Sequence, residues 1–282
     1  MGAIPASTFA YLIISLVICV FGPIAFLVII GRKMPLRARI MLTGVILFIV
    51  FALLLERFVH SIVLKEGSPI MTVTAYYVIY GCLMAAVFEG AAKFVGLKYM
   101  VKEPTSPGFA LQFGTGYGIA EAAILGVLPL ASNLATAFQI NKLGYDKCIE
   151  TLTEQGADAA TIEAFESNMS MLYENNLTCL LGGVERVAAV IMQIALTMII
   201  FQAVKEGAGK KNYIYLLLAV VLHALFDMPA ALYQKEVISN VFVTEVIILI
   251  EAVIAAVIAY LLYRKNVEEF GKPVNPQSEY NA

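Results

Sequence analysis

Apolar residues come in seven long runs, each cut off from the next by a polar or charged stretch. The runs cover about Thr8–Ile30, Ile40–Leu64, Ile70–Met100, Phe109–Phe138, Leu177–Val204, Tyr213–Tyr233 and Val241–Tyr263. A helix rises about 1.5 Å per residue and the hydrocarbon of a bilayer is about 30 Å thick, so about 20 apolar residues suffice to cross it. Each run therefore predicts a transmembrane helix, and the third and fourth are long enough to tilt or protrude. The expected fold class is all-α, a polytopic membrane bundle of about seven helices forming a single domain over residues 1–282.

Polar residues between the runs predict the orientation. The stretch after the first run holds Arg32, Lys33, Arg37 and Arg39 and no acid. Lys98 and Lys102 follow the third run, Lys205, Lys210 and Lys211 the fifth, and Arg264 and Lys265 the seventh. The loops between them are neutral (65–69) or acidic (139–176), the latter with seven acids against Lys142 and Lys147. Basic loops stay in the cytoplasm, which puts the N-terminus outside and the C-terminus inside. The start of the chain lacks a basic segment, so the first run reads as a true span rather than a cleaved signal. Composition agrees: 60% of the residues are hydrophobic and 14% charged, against about 25% charged in a soluble domain.

The loop at 139–176 is the largest feature outside the bilayer, with two helical patterns broken near Gly156. Cys148 and Cys179 flank it, and an external position permits a disulfide. Cys179 reads equally well as a small apolar residue of the fifth span. The tail at about 266–282 is rich in polar residues and Pro and is expected to be disordered.

Candidate chemistry lies in the ionisable residues inside the spans, since each must be compensated there. Measured from the cytoplasmic end of its span, Glu89 lies about 12–16 Å deep, His223 about 16 Å, and Glu121 and Glu251 about 18 Å. Glu56, Arg57, His60, Glu185 and Arg186 fall about 24–30 Å deep, in a second layer. Four pairs stand at i, i+4 on one helix face: Glu56 with His60, Glu89 with Lys93, Tyr117 with Glu121, and His223 with Asp227. An acid one turn from a histidine can hold one ring nitrogen and fix the tautomer that the other presents. That suits a metal ligand or a group that positions water, and it suits a structural interhelical bond as well. Gly90, Gly114, Gly116 and Gly118 leave room around these positions or let helices pack closely. Pro129 and Pro229 are expected to kink their spans.

Three of these motifs, Glu89-Gly90-x-x-Lys93, Tyr117-x-x-x-Glu121 and His223-x-x-x-Asp227, stand in order on separate spans. In this the chain resembles the superfamily of intramembrane proteases that includes the CAAX prenyl proteases, the CPBP proteins and the PrsW-type proteases, and most of all its bacterial YhfC-like branch. Glu185-Arg186 and Glu56 with His60 are also similar to that branch. The resemblance covers the second to seventh spans, and departs from the pattern where Gly90 stands for a second Glu and Tyr117 for an aromatic Phe or a His. It implies a peptidase of the bacterial plasma membrane acting on membrane-embedded or membrane-adjacent peptide substrates. Glu89 would activate water, Glu121 and His223 would complete the site, and Asp227 would orient His223. Lys93, Tyr117, Glu185 and Arg186 would support it.

No cofactor is expected in that reading. Its alternative is one divalent metal such as zinc on Glu89, Glu121 and His223, a set short of histidines because the chain has two in all. Two other functions fit the same residues: a catalytically inactive relative serving as a membrane scaffold or immunity-type protein, and a proton-coupled transporter. Against the transporter, the sequence shows no inverted repeat. The lipid bilayer is an expected partner; nucleic acid is not.

Overall fold

The computed structural model describes residues 2–65, 67–101, 106–174, 176–205 and 207–270. Lys102, one of the basic positions, and residues 271–282 of the expected disordered tail lie outside them. Among the described residues seven helices are long and apolar enough to cross a membrane: α1 (Ala6–Gly31), α2 (Ala38–Val63), α3 (Thr74–Met100), α4 (Pro107–Leu143), α7 (Leu177–Val204), α8 (Lys210–Gln234, opening on a 3₁₀ turn) and α9 (Val241–Phe270). Between α4 and α7 lie two shorter helices, α5 (Tyr145–Glu154) and α6 (Ala159–Glu174). No strand occurs among the described residues. The protein is an all-helical integral membrane protein.

Two ends differ from expectation. Helix α4 continues five residues beyond Phe138, and α9 continues to Phe270, through the first residues of the expected tail. Hydropathy marks where a helix leaves hydrocarbon, whereas the helix itself ends where its hydrogen-bond ladder does. The backbone is π-helical over Ile49–Glu56, Gly96–Met100 and Ala122–Val127. Pro129 and Pro229 both sit within continuous spanning helices, and the irregular turn of α4 directly precedes Pro129. Of the seven spans α7 is the most enclosed, 83% buried over its apolar window against 22–39% for the others.

The chain divides into two compact units. One holds residues up to Val28 together with Glu121–Ala189. Here the first residues are tied to the far end of the unit. Asn141 accepts from the Ile4 amide at 2.7 Å and donates back to the Ile4 carbonyl at 3.2 Å. The Thr8 hydroxyl donates to the Leu172 carbonyl at 2.9 Å, and the Tyr173 hydroxyl to the Gly2 carbonyl at 2.6 Å. Helix α5 ends in a Schellman turn: Gly156, at φ +83°, donates to Thr153, and Ala157 donates to Leu152. Asp158 then caps α6, its Oδ1 accepting from the Thr161 amide at 2.8 Å.

That hydrogen bonding holds the Asp158 carboxyl below its usual pKa. Its contribution is therefore whole above the ordinary carboxylate range and fades as pH falls through it. Asp158→Ala is expected to fray the first turn of α6, seen as faster hydrogen exchange at the Thr161 amide. Cys148 and Cys179 are free thiols, both buried, so the disulfide that an external loop would permit is absent.

The other unit holds Ile29–Ala120 and the chain from Val190 onward. Helices α3 and α8 pack along a seam of small and medium residues, Val78, Cys82 and Ala86 against Ala224, flanked by Val220 and Met228. The i, i+4, i+8 spacing on α3 presents one face to that seam. Helix α4 is wedged in by its glycines. A Cβ on Gly116 would stand 2.2 Å from the Met41 carbonyl oxygen of α2, and one on Gly114 would stand 3.0 Å from the Ile194 Cα of α7. Gly118 meets the Val190 Cα at 3.0 Å in the same way. Close packing is thus what these glycines do.

Candidate active site

The seam between α3 and α8 runs directly into the polar residues. One turn past Ala86 and Ala224 packing brings Glu89, Gly90 and Lys93 of α3 beside His223 and Asp227 of α8. Gly90 belongs to this packing, since a Cβ there would lie 3.1 Å from Val220 Cγ2. The glycine that replaces a second acid is the residue that lets α3 approach α8.

Glu89 is buried, and its Oε2 is the hub of the cluster. Lys93 Nζ donates to it at 3.0 Å, with the Glu89 carbonyl at 3.4 Å. Gln193 Nε2, from α7, donates to the same oxygen at 2.8 Å. His223 Nε2 lies 3.9 Å from it. Lys93 has no exposed surface, and its ammonium sits 3.9 Å above the centre of the Tyr117 ring. The aromatic face solvates a charge that would otherwise be costly in hydrocarbon. Tyr117 is itself fully buried and packs edge-on against Phe48 at 5.3 Å between centroids.

His223 faces two acids through one nitrogen. Asp227 Oδ2 lies 3.5 Å from Nε2, the same atom that looks toward Glu89. Two carboxylates on one side favour the tautomer with its proton on Nε2. The sequence suggested an acid on one nitrogen with the other presented to the site; the geometry instead turns both acids to Nε2. Asp227 keeps 32% of its side-chain surface while His223 keeps 7%, so the pair leads from the buried cluster outward. Asp227→Asn is expected to leave the fold intact, because it loosens the imidazole without uncovering a buried charge. Thermal melting of the purified variant checks this.

Glu121 belongs to the first unit. There Arg186 Nη1 lies 3.4 Å from Glu121 Oε1 and Arg186 also pairs with Glu185. The aliphatic part of Arg186 packs where Gly126 leaves space. In the second unit Glu56 pairs with His60 at 3.2 Å, and His60 Nδ1 is 2.9 Å from the Tyr80 hydroxyl, a structural tie between α2 and α3. Glu251 lines an apolar cavity of about 180 Å³ with Leu196, Leu222, Phe226 and Ile254 among its walls.

Gln193 is the member the sequence reading did not place in the site. It stands eleven residues before Val204 at the end of α7, about 16 Å deep, the level of Glu89 and His223. Applying the depth rule to amides as well as charges would have found it.

Residues 16–248 match the family described as YhfC intramembrane metalloprotease. The chain belongs to this family. It is also 32% identical over 252 residues, 86% of this chain and 93% of the other, to a Bacillus subtilis (strain 168) protein described as uncharacterized membrane protein YhfC. No solved structure matches.

The family description corrects one expectation. A metalloprotease family implies a metal, so the reading in which no cofactor takes part is overturned. The residues of this YhfC-family protein do not fit a metal as they stand. Among the described residues no three His, Cys, Asp or Glu side chains are grouped to hold an ion. The oxygen of Glu89 that faces His223 already takes two N–H donors, one of them a cation. The set Glu89, Glu121 and His223 is divided between a Lys93-bound acid, an Arg186-bound acid and an imidazole.

Proposed function

We propose that this chain hydrolyses peptide bonds in or near the bilayer, with Glu89 as the group that takes a proton from the attacking water. The observation that supports it is the buried convergence of Lys93, Gln193 and His223 from three helices on a single oxygen of Glu89, with Asp227 beside the same nitrogen of His223. A carboxylate offers about four acceptor positions, and the two donors at Oε2 leave others for water. As the water oxygen bonds to the carbonyl carbon, its proton passes to Glu89. When the C–N bond breaks, the same proton goes to the leaving amine. Lys93 and Gln193 orient the acid, and His223, with Asp227 at its Nε2, lines the same side of it. The basic residues that follow the first, third, fifth and seventh apolar runs are proposed to face the cytoplasm, and the relation to CAAX and PrsW-type proteases is likewise part of the proposal.

The tight Lys93–Glu89 pair favours a second reading, a membrane scaffold without turnover, because an acid already matched by an ammonium one turn away explains itself. One experiment separates the two: mixed transmembrane peptides incubated with the protein in lipid and read by mass spectrometry. Fragments that appear with the wild type and vanish with Glu89→Gln and His223→Ala support a peptidase. Spectra unchanged by folded wild-type protein leave the scaffold.

A further inference from the structure

The clash between a metal-dependent family and a Lys-filled cluster has a physical resolution. A divalent ion at this cluster would need the Glu89 oxygen that faces His223, since the chain's other histidine, His60, is engaged by Glu56 and Tyr80. That oxygen is held by the Lys93 ammonium at 3.0 Å. The ammonium is fixed from three sides: by the Glu89 carboxylate, by the Glu89 carbonyl at 3.4 Å and by the Tyr117 ring at 3.9 Å. A second cation cannot share the oxygen without strong repulsion at this separation. We infer that Lys93 occupies the cation position at Glu89, so that a divalent metal enters the His223–Asp227 side of the cluster only by displacing the ammonium, and metal affinity is set by this lysine. In effect the chain carries a competitor for its own metal.

The inference rests on the same site as the proposed peptidase but not on turnover, so the test reads binding. Full-length protein in detergent is titrated with Zn²⁺ by equilibrium dialysis and with Co²⁺ by visible absorption. Lys93→Met is expected to bind one ion at least about tenfold more tightly than the wild type, with a cobalt spectrum that His223→Ala in the same background removes. Lys93→Arg, which keeps the charge, is expected to bind as weakly as the wild type. Equal affinity in wild type and Lys93→Met overturns the inference, as does binding that His223→Ala leaves untouched. A wild type that takes up one ion tightly overturns it even where Lys93→Met fails to fold. A protein that cleaves peptides yet binds zinc weakly keeps both conclusions; one that binds zinc tightly and cleaves loses only this one.

Discussion

Glu89→Gln should abolish peptide cleavage, by about 10³-fold, and destabilise the protein by about 3 kcal/mol, and the two losses can be pulled apart. The first follows from the role of proton acceptor proposed for Glu89. The second follows because Lys93 has no exposed surface and would keep its charge while its partner lost one. Breaking a buried pair at one end is far costlier than removing the pair, which is often close to neutral. Glu89→Gln with Lys93→Met should therefore regain most of the stability and none of the activity. Thermal unfolding in detergent and peptide turnover, measured on both variants, give the answer. If the double variant is no more stable than Glu89→Gln, the Lys93 charge is not the source of the cost.

The second large effect is expected far from the chemistry. Gly116→Ala places a methyl 2.2 Å from the Met41 carbonyl oxygen and 2.7 Å from its Cα, contacts with backbone that no rotamer relieves. Overpacking of this kind costs about 1–3 kcal/mol, and here the cost falls at the upper end because α2 itself must move. Gly81→Ala, where nothing lies within 4 Å of the new methyl, is the matched control and should be neutral or slightly stabilising. The difference in melting temperature between the two variants measures the wedge directly. Activity should fall with Gly116→Ala as well, because α4 carries the Tyr117 ring on which Lys93 rests.

These two regions show what could be read from the chain and what could not. The spans were legible because a bilayer imposes a length on every apolar run, and the helices follow those runs. The pairs Glu89–Lys93, His223–Asp227 and Glu56–His60 were legible for a related reason, that i, i+4 neighbours meet on any helix. What joins one helix to another was not. That Lys93 lies on Tyr117, or that Gln193 reaches Glu89, depends on how each helix is rotated, and no spacing within one helix states it. The π-helical turns were hidden for the same reason, since they register a local adjustment to neighbours. The family supplied the metal, which the two histidines of the sequence alone argued against.

The hydrogen bonds that tie the first residues to α6 also bear on how the molecule is made. Thr8 bonds to a carbonyl 164 residues later, and Gly2 to a hydroxyl 171 residues later. At about 5–20 residues per second, those partners leave the ribosome roughly 8–35 s after the first span does. Throughout that interval α2, α3 and the first half of α4 are synthesised, and all of them belong to the other unit. The first helix to enter the bilayer must therefore wait in lipid with Thr8 and the Gly2 and Ile4 backbone unmatched. A truncation after α4 would leave that helix with its tie through Ile4 and Asn141 but without those to Leu172 and Tyr173.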